Sequence, residues 1–205
     1  MPTNTQNRRR RPQQDRSRST VEAIVDAAAQ ILEAQGPQHA TTNHIAERAG
    51  VSIGTLYQYF PNKQALFTEL ARRFIEELGT ATEESLESIS MGPMQEVVPQ
   101  FLHTLGRLHG TSPRLRSFLF QQPGSQVLMR DFNERIEAVV ARVLARRPEF
   151  RDGNPTLTAQ VVVRAVDGVM RDTTLREPER VHERAFIDEL SRLVLGYLML
   201  SATGG

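Results

Sequence analysis

Between Thr41 and Lys63 the chain reads TTNHIAERAGVSIGTLYQYFPNK, and its second half is dense in side chains that donate or accept hydrogen bonds. Ser52, Thr55, Tyr57 and Tyr59 carry hydroxyls and Gln58 an amide. Such groups suit phosphate oxygens and base edges alike. Ile53 or the Thr55 methyl can meet a thymine methyl, and Gln58 matches adenine if it reaches the floor of a major groove. Lys63 and the nearby helix N-termini suit phosphates. Position by position a plainer reading stays open, with Tyr57 and Tyr59 packing and Thr55 neutral on the surface.

Short helices must carry these groups. Ser19 and Glu22 have capping-box spacing. Val21, Ile24, Val25, Ala28, Ile31 and Leu32 then recur with the helical period until Gly36-Pro37 stops the helix. Thr41 or Thr42 can cap a second helix holding Ile45, Ala46 and Ala49. Gly50 supplies a turn where positive φ is expected. Ser52 can cap a third helix running to about Tyr59. Ile45, Ala46, Ala49, Val51, Leu56 and Phe60 are spaced to pack these helices together. Pro61-Asn62-Lys63 separates them from a long fourth helix with an apolar stripe of Leu66, Phe67, Leu70, Phe74 and Leu78. His44 reads as exposed.

The charge is unevenly placed. The whole chain of 205 residues carries a net +1. Residues 1–20 hold six arginines against Asp15, so 6 − 1 = +5, and the rest sums to 1 − 5 = −4. A basic arm on a mildly acidic body suggests a polyanion partner at that end. Residues 1–17 are read as a disordered arm, residues 18–65 as the unit that contacts DNA, and residues 66–205 as a second helical domain.

Beyond a break marked by Gly92, Pro93 and Pro99, further helices are expected near 94–109, after Pro113, and over 125–146, 156–174 and 179–201, with a loop from Arg147 to Pro155. No segment alternates with period two, so the fold is expected to be all-α, with an N-terminal three-helix helix-turn-helix domain followed by a helical domain. In the last two helices Val161, Val162, Val166, Val169, Phe186, Leu190, Leu193, Val194, Tyr197 and Leu198 form apolar stripes. These either close the domain's own core or, more simply, pack four helices with a second copy. The middle helices can enclose an apolar pocket, with Phe67, Phe74, Met94, Phe101, Phe118, Phe120, Leu128 and Phe132 as candidate walls and His103 and Arg107 as candidate polar contacts; ordinary core and solvated polar side chains are the alternatives.

Enzyme readings find little support. No GxGxxG, P-loop, GxSxG or HExxH motif occurs, the five histidines show no close metal spacing, and no cofactor is implied. With no cysteine, disulfides and cysteine zinc sites are excluded. No apolar run is long enough to span a membrane, and a cytoplasmic location is expected.

The run AGVSIGTLYQYFPNK, with IVDAAAQILEAQG before it, resembles the DNA-binding domain of the tetracycline-repressor (TetR) family of bacterial regulators over about a quarter of the chain. The resemblance implies that the helical domain is a ligand-binding and dimerisation domain and that a homodimer binds a palindromic operator. Such a protein is usually a repressor released by a small molecule, which the apolar pocket candidates make largely apolar; an activator or a ligand-independent DNA-binding protein of the same fold is the alternative. The resemblance places Thr42 and Asn43 near the DNA backbone and Ser52, Ile53, Gly54, Thr55, Tyr57, Gln58 and Tyr59 on the recognition surface. Lys63 would hold a phosphate, and Arg8, Arg9, Arg10 and Arg11 would form an extension along the minor groove or backbone.

Overall fold

The helical period of the apolar residues is realised throughout the computed structural model, which describes residues 6–89, 92–110, 112–150 and 153–203. The side chains of residues 6–16 lie outside that description. Nine α-helices and no strand occur among the described residues: α1 (Gln6–Gln35), α2 (Thr42–Arg48), α3 (Ile53–Tyr59), α4 (Lys63–Ile89), α5 (Met94–Gly110), α6 (Pro113–Phe120), α7 (Ser125–Ala145), α8 (Pro155–Arg176) and α9 (Arg184–Thr203). Short 3-10 turns lie at Pro148–Phe150 and Pro178–His182. The chain divides into two compact units, Met1–Ala71 and Arg72–Gly205, and the division falls inside α4.

In the first unit Ile24, Ala28, Ile31, Ile45, Leu56 and Leu66 are fully buried. These are the residues that the apolar spacing of α1 to α4 directs inward. Helix α1 ends where Gly36 adopts φ +85°, a left-handed terminus that glycine enters without a Cβ clash. Its start differs from the sequence reading. The helix begins at Gln6, ahead of Ser19, so residues 6–17, read from composition as a disordered arm, are helical here. Arginine and glutamine are good helix formers, but the run includes Pro12, which lacks a backbone N–H and disfavours a helix interior by about 3 kcal/mol, so propensity alone does not account for the extension.

The second unit has two apolar clusters. One gathers Leu102 and Leu105 of α5, Val166 and Met170 of α8, and Ile187 and Leu190 of α9. The other joins Ile75 and Leu78 of α4 to Met129, Phe132 and Ile136 of α7. At Gly106 an added Cβ would lie 2.8 Å from both the Val181 carbonyl oxygen and Ile187 Cδ1, so α5 approaches its neighbours as only glycine permits. The segment read as a plain loop after Arg147 contains a 3-10 turn that buries Phe150. Asn154 Oδ1 accepts the Leu157 N–H at 3.0 Å and starts α8, with Pro155 in the first helical position.

Candidate nucleic-acid interface and effector cavity

Helices α2 and α3 each have only seven residues, too short to persist alone in water. Caps and burial hold them. Thr41 Oγ1 accepts the His44 N–H at 3.2 Å, which settles the cap on Thr41, and Ser52 Oγ accepts the Thr55 N–H at 3.0 Å. Between them Gly50 takes φ +68° with open space around its missing Cβ, so the turn needs glycine for backbone conformation and not for clearance. Leu56 and Phe60 fix the inner side of α3.

The outer side is the candidate reading surface. Ser52, Ile53, Gly54, Tyr57 and Gln58 are exposed, whereas Thr55 and Tyr59 are half-buried. Thr55 and Tyr59 flank the buried side of Leu56 and keep part of their surface outward. Ser52 and Thr55 share a further contact, Oγ to Oγ1 at 2.8 Å. Tyr57 is 47% exposed, and its hydroxyl lies 3.3 Å from Thr42 Oγ1, tying α3 to the first turn of α2. Asn43 beside it is exposed. The Lys63 ammonium rests 5.2 Å from the Phe67 ring centroid. Such a contact is weak at an exposed site, about 0.5–1 kcal/mol, and does not prevent the side chain from turning to a phosphate. Arg8, Arg9, Arg10 and Arg11 lie outside the described side chains.

Three supports escaped the sequence reading. His44 is half-buried and its Nδ1 lies 3.0 Å from the His39 carbonyl oxygen, which corrects its reading as merely exposed. Arg48 Nε donates to Gln30 Oε1 at 2.9 Å, joining α2 to α1. Asn62 Oδ1 accepts the Ala65 N–H at 2.8 Å at the start of α4; an asparagine just ahead of an apolar-periodic run was the available signal.

Inside the second unit α4, α5, α7, α8 and α9 enclose an apolar cavity of about 100 Å³. Of the predicted walls Met94, Phe101 and Phe132 line it. Phe67 is core of the first unit, Phe74 lies against Arg116, and Leu128 packs on the cluster around Phe132. Phe118 is half-buried and His103 faces Asp188 of α9 at 3.4 Å; neither reaches the cavity. The walls the reading missed are aliphatic, among them Leu86, Val97, Val98, Val163 and Met170. Periodicity identifies an inward face but not the neighbour that it meets, and aromatic content is no guide to where packing leaves space.

Arg116 on α6 is 1% exposed. Its Nη2 donates to the Leu108 carbonyl at 2.6 Å, and its guanidinium lies 5.0 Å from the Phe74 ring centroid and 5.9 Å from that of Phe120. Nε and Nη1 are buried without a hydrogen-bond partner among the described residues. Burial pushes this guanidinium down to about 9, so it is charged at neutral pH.

The predicted interface residues also divide. Val166, Leu190 and Val194 are buried in the chain's own core, and Val162, Val169, Phe186 and Tyr197 are half-buried against it. A side chain sealed inside one subunit cannot be the surface that meets a second. Val161 and Leu193 are the outward members of the predicted stripes, 42% and 58% exposed. Leu157 and Leu175 of α8 and Met199 and Leu200 of α9 are exposed as well.

The comparisons follow this architecture. Residues 24–70 match the family of bacterial regulatory proteins called tetR, and residues 93–198 match the tetracyclin repressor-like C-terminal domain. The nucleoid occlusion factor SlmA of Photobacterium profundum is 31% identical over 137 residues, 64% of this chain and 69% of that protein. The HTH-type transcriptional repressor KstR of Mycolicibacterium smegmatis is 25% identical over 151 residues, 71% of this chain and 70% of its own. The structure of the transcriptional regulator FadR from Bacillus subtilis, in complex with stearoyl-CoA, shares the fold at a TM-score of 0.59 and 19% identity, covering 90% of this chain and 98% of that one. Both halves of the molecule therefore carry the same assignment: the chain belongs to the tetR family and is a DNA-binding transcriptional regulator.

Proposed function

We propose that the chain is a homodimeric transcriptional repressor that binds a palindromic operator and releases it when a small apolar effector enters the cavity of the second unit. The observation that carries the DNA reading is α3, capped at Ser52 and pinned by Leu56, with Ile53, Tyr57 and Gln58 left outward. A helix immobilised on one side and polar on the other is what major-groove readout requires. KstR, a named repressor, supports the sign of regulation.

A second copy is supported by two faces. At about 100° per residue, Leu157, Val161, Gly168 and Leu175 fall within about 40° of arc on α8. Leu193, Gly196 and Leu200 fall within about 60° on α9. Nothing lies within 4 Å of a Cβ built at Gly168 or Gly196, so each face has a shallow place where another helix can approach. A dimer sets two recognition helices about 34–36 Å apart, one turn of DNA.

The switch would be a population shift. An engineered cavity of about 150 Å³ holds benzene, so a ligand much larger than that would either part the helices around a space of about 100 Å³ or extend toward the adjoining groove. An effector that binds the parted form better moves the population toward it, and a changed spacing of reading heads misfits the operator. The stearoyl-CoA in the FadR complex is an example of a ligand of that larger size. A second reading is a DNA-binding factor with no effector; the likeness to SlmA, named a nucleoid occlusion factor and not a transcriptional repressor, keeps a role other than repression in view. Operator binding titrated with candidate apolar ligands separates the two: no ligand that changes affinity leaves the second.

Two measurements test the DNA surface. Tyr57→Ala is expected to weaken specific binding by about 1–3 kcal/mol with little change on random DNA, and Tyr57→Phe to fall between, in a mobility-shift or anisotropy titration. Equal losses on both DNAs would remove Tyr57 from readout. Replacing Arg8, Arg9, Arg10 and Arg11 together by alanine is expected to weaken all DNA and flatten the salt slope by up to about 4. An unchanged slope would exclude the arm from phosphate contact.

A further inference from the structure

The cavity of the second unit is apolar except at one end. There Asn133 of α7 and Asp167 of α8 line both the cavity and a polar groove of about 480 Å³. Asn133 Nδ2 donates to Asp167 Oδ2 at 3.1 Å. A carboxylate only accepts, so this contact fixes the amide nitrogen on the aspartate side and places Oδ1 on the other. Asn133 Oδ1 is buried with no hydrogen-bond partner among the described residues. The hydroxyl of Thr82, also in the cavity wall, already donates to the Leu78 carbonyl at 2.7 Å. The polar end is therefore short of donors and rich in acceptors.

The groove outside does not reverse this. Arg164 is held by Glu137 at 2.8 Å, Arg130 lies 3.9 Å from Glu134, and Arg171 lies 3.9 Å from Asp167 itself. Every arginine that lines the groove thus faces a carboxylate that lines it too. An incoming anion would find no uncompensated cation there and would approach Asp167.

We infer that Asn133 and Asp167 form the polar end of the effector site, and that the effector is an apolar molecule ending in a neutral hydrogen-bond donor, a hydroxyl or an N–H, and not in a carboxylate or phosphate. A donor reaching Asn133 Oδ1 gives that oxygen the partner it lacks, and the apolar body occupies the aliphatic space behind. The inference rests on the effector reading of this cavity.

Calorimetry of the full chain with three probes tests it: 1-hexanol, its isomer methyl pentyl ether, and hexanoate. Hexanol is expected to bind roughly three- to tenfold tighter than the ether, the worth of one hydrogen bond, and hexanoate more weakly than either. Asn133→Leu combined with Asp167→Leu should erase the gap between hexanol and ether, since no acceptor of the Asn133–Asp167 pair then remains for the hydroxyl. Hexanoate binding as tightly as hexanol, or a gap that survives the double substitution, overturns the inference and leaves the cavity as an effector site. Binding of none of the probes overturns the cavity reading and this one with it. If the variant does not fold, the order of the three probes on the wild-type chain decides alone.

Discussion

Val161→Glu combined with Leu193→Glu is expected to give a folded monomer whose operator affinity is about 10²- to 10⁴-fold below wild type. Both side chains are substantially exposed in the single chain, Val161 at 42% and Leu193 at 58%, so a charge at either position meets water when the subunit is alone. Exposed substitutions of this kind change subunit stability by about 0.5 kcal/mol or less. At a helix–helix interface the same carboxylates would be desolvated without partners, at a cost that association cannot offset. Loss of DNA affinity follows because the second recognition helix no longer binds as an intramolecular event. Sedimentation velocity and a titration with a two-half-site operator check both parts. A dimer that persists through the double substitution would place the interface elsewhere. Val194→Glu is the control: Val194 is 6% exposed, and a carboxylate there should unfold the subunit itself rather than split a dimer.

That contrast marks the limit of what the sequence reveals. Ser52, Leu56 and Gly50 were legible because each answers a local demand: a cap, an inward position at the helical period, a left-handed turn. The same logic found most helices of the second unit within a residue or two, and it missed the 3-10 turn that buries Phe150 because three residues carry no period. It could not separate Val194 from Leu193. The two are adjacent on α9 and equally apolar, and only the placement of α5 and α8 decides that one is sealed and the other open. The cavity is the harder case. Its polar end, Asn133 with Asp167, joins residues 34 apart in sequence on two helices, and neither residue sits in a motif. Phe74 looked like a wall because it is large, yet its ring is taken up by Arg116.

Arg116 gives the last expected result. Arg116→Ala should lower stability by about 2–4 kcal/mol, because it removes a long side chain packed between two rings and leaves a void. Arg116→Met should be near neutral, within about 1 kcal/mol, since it keeps most of the volume and removes a desolvated charge that no described carboxylate offsets. The pH dependence has a definite sign. Burial holds the folded guanidinium at about 9, well below its ordinary range, so above that value the unfolded chain binds more protons than the folded one. The unfavourable contribution of the buried charge is therefore complete below pH 9 and is relieved as pH rises through the folded value. Wild-type stability measured against Arg116→Met should improve between pH 7 and pH 10 in urea titrations, with m unchanged. A methionine variant as unstable as the alanine one, with a difference from wild type that is flat in pH, would mean that the charge on Arg116 contributes to folding through the Leu108 carbonyl and the aromatic rings more than its desolvation costs.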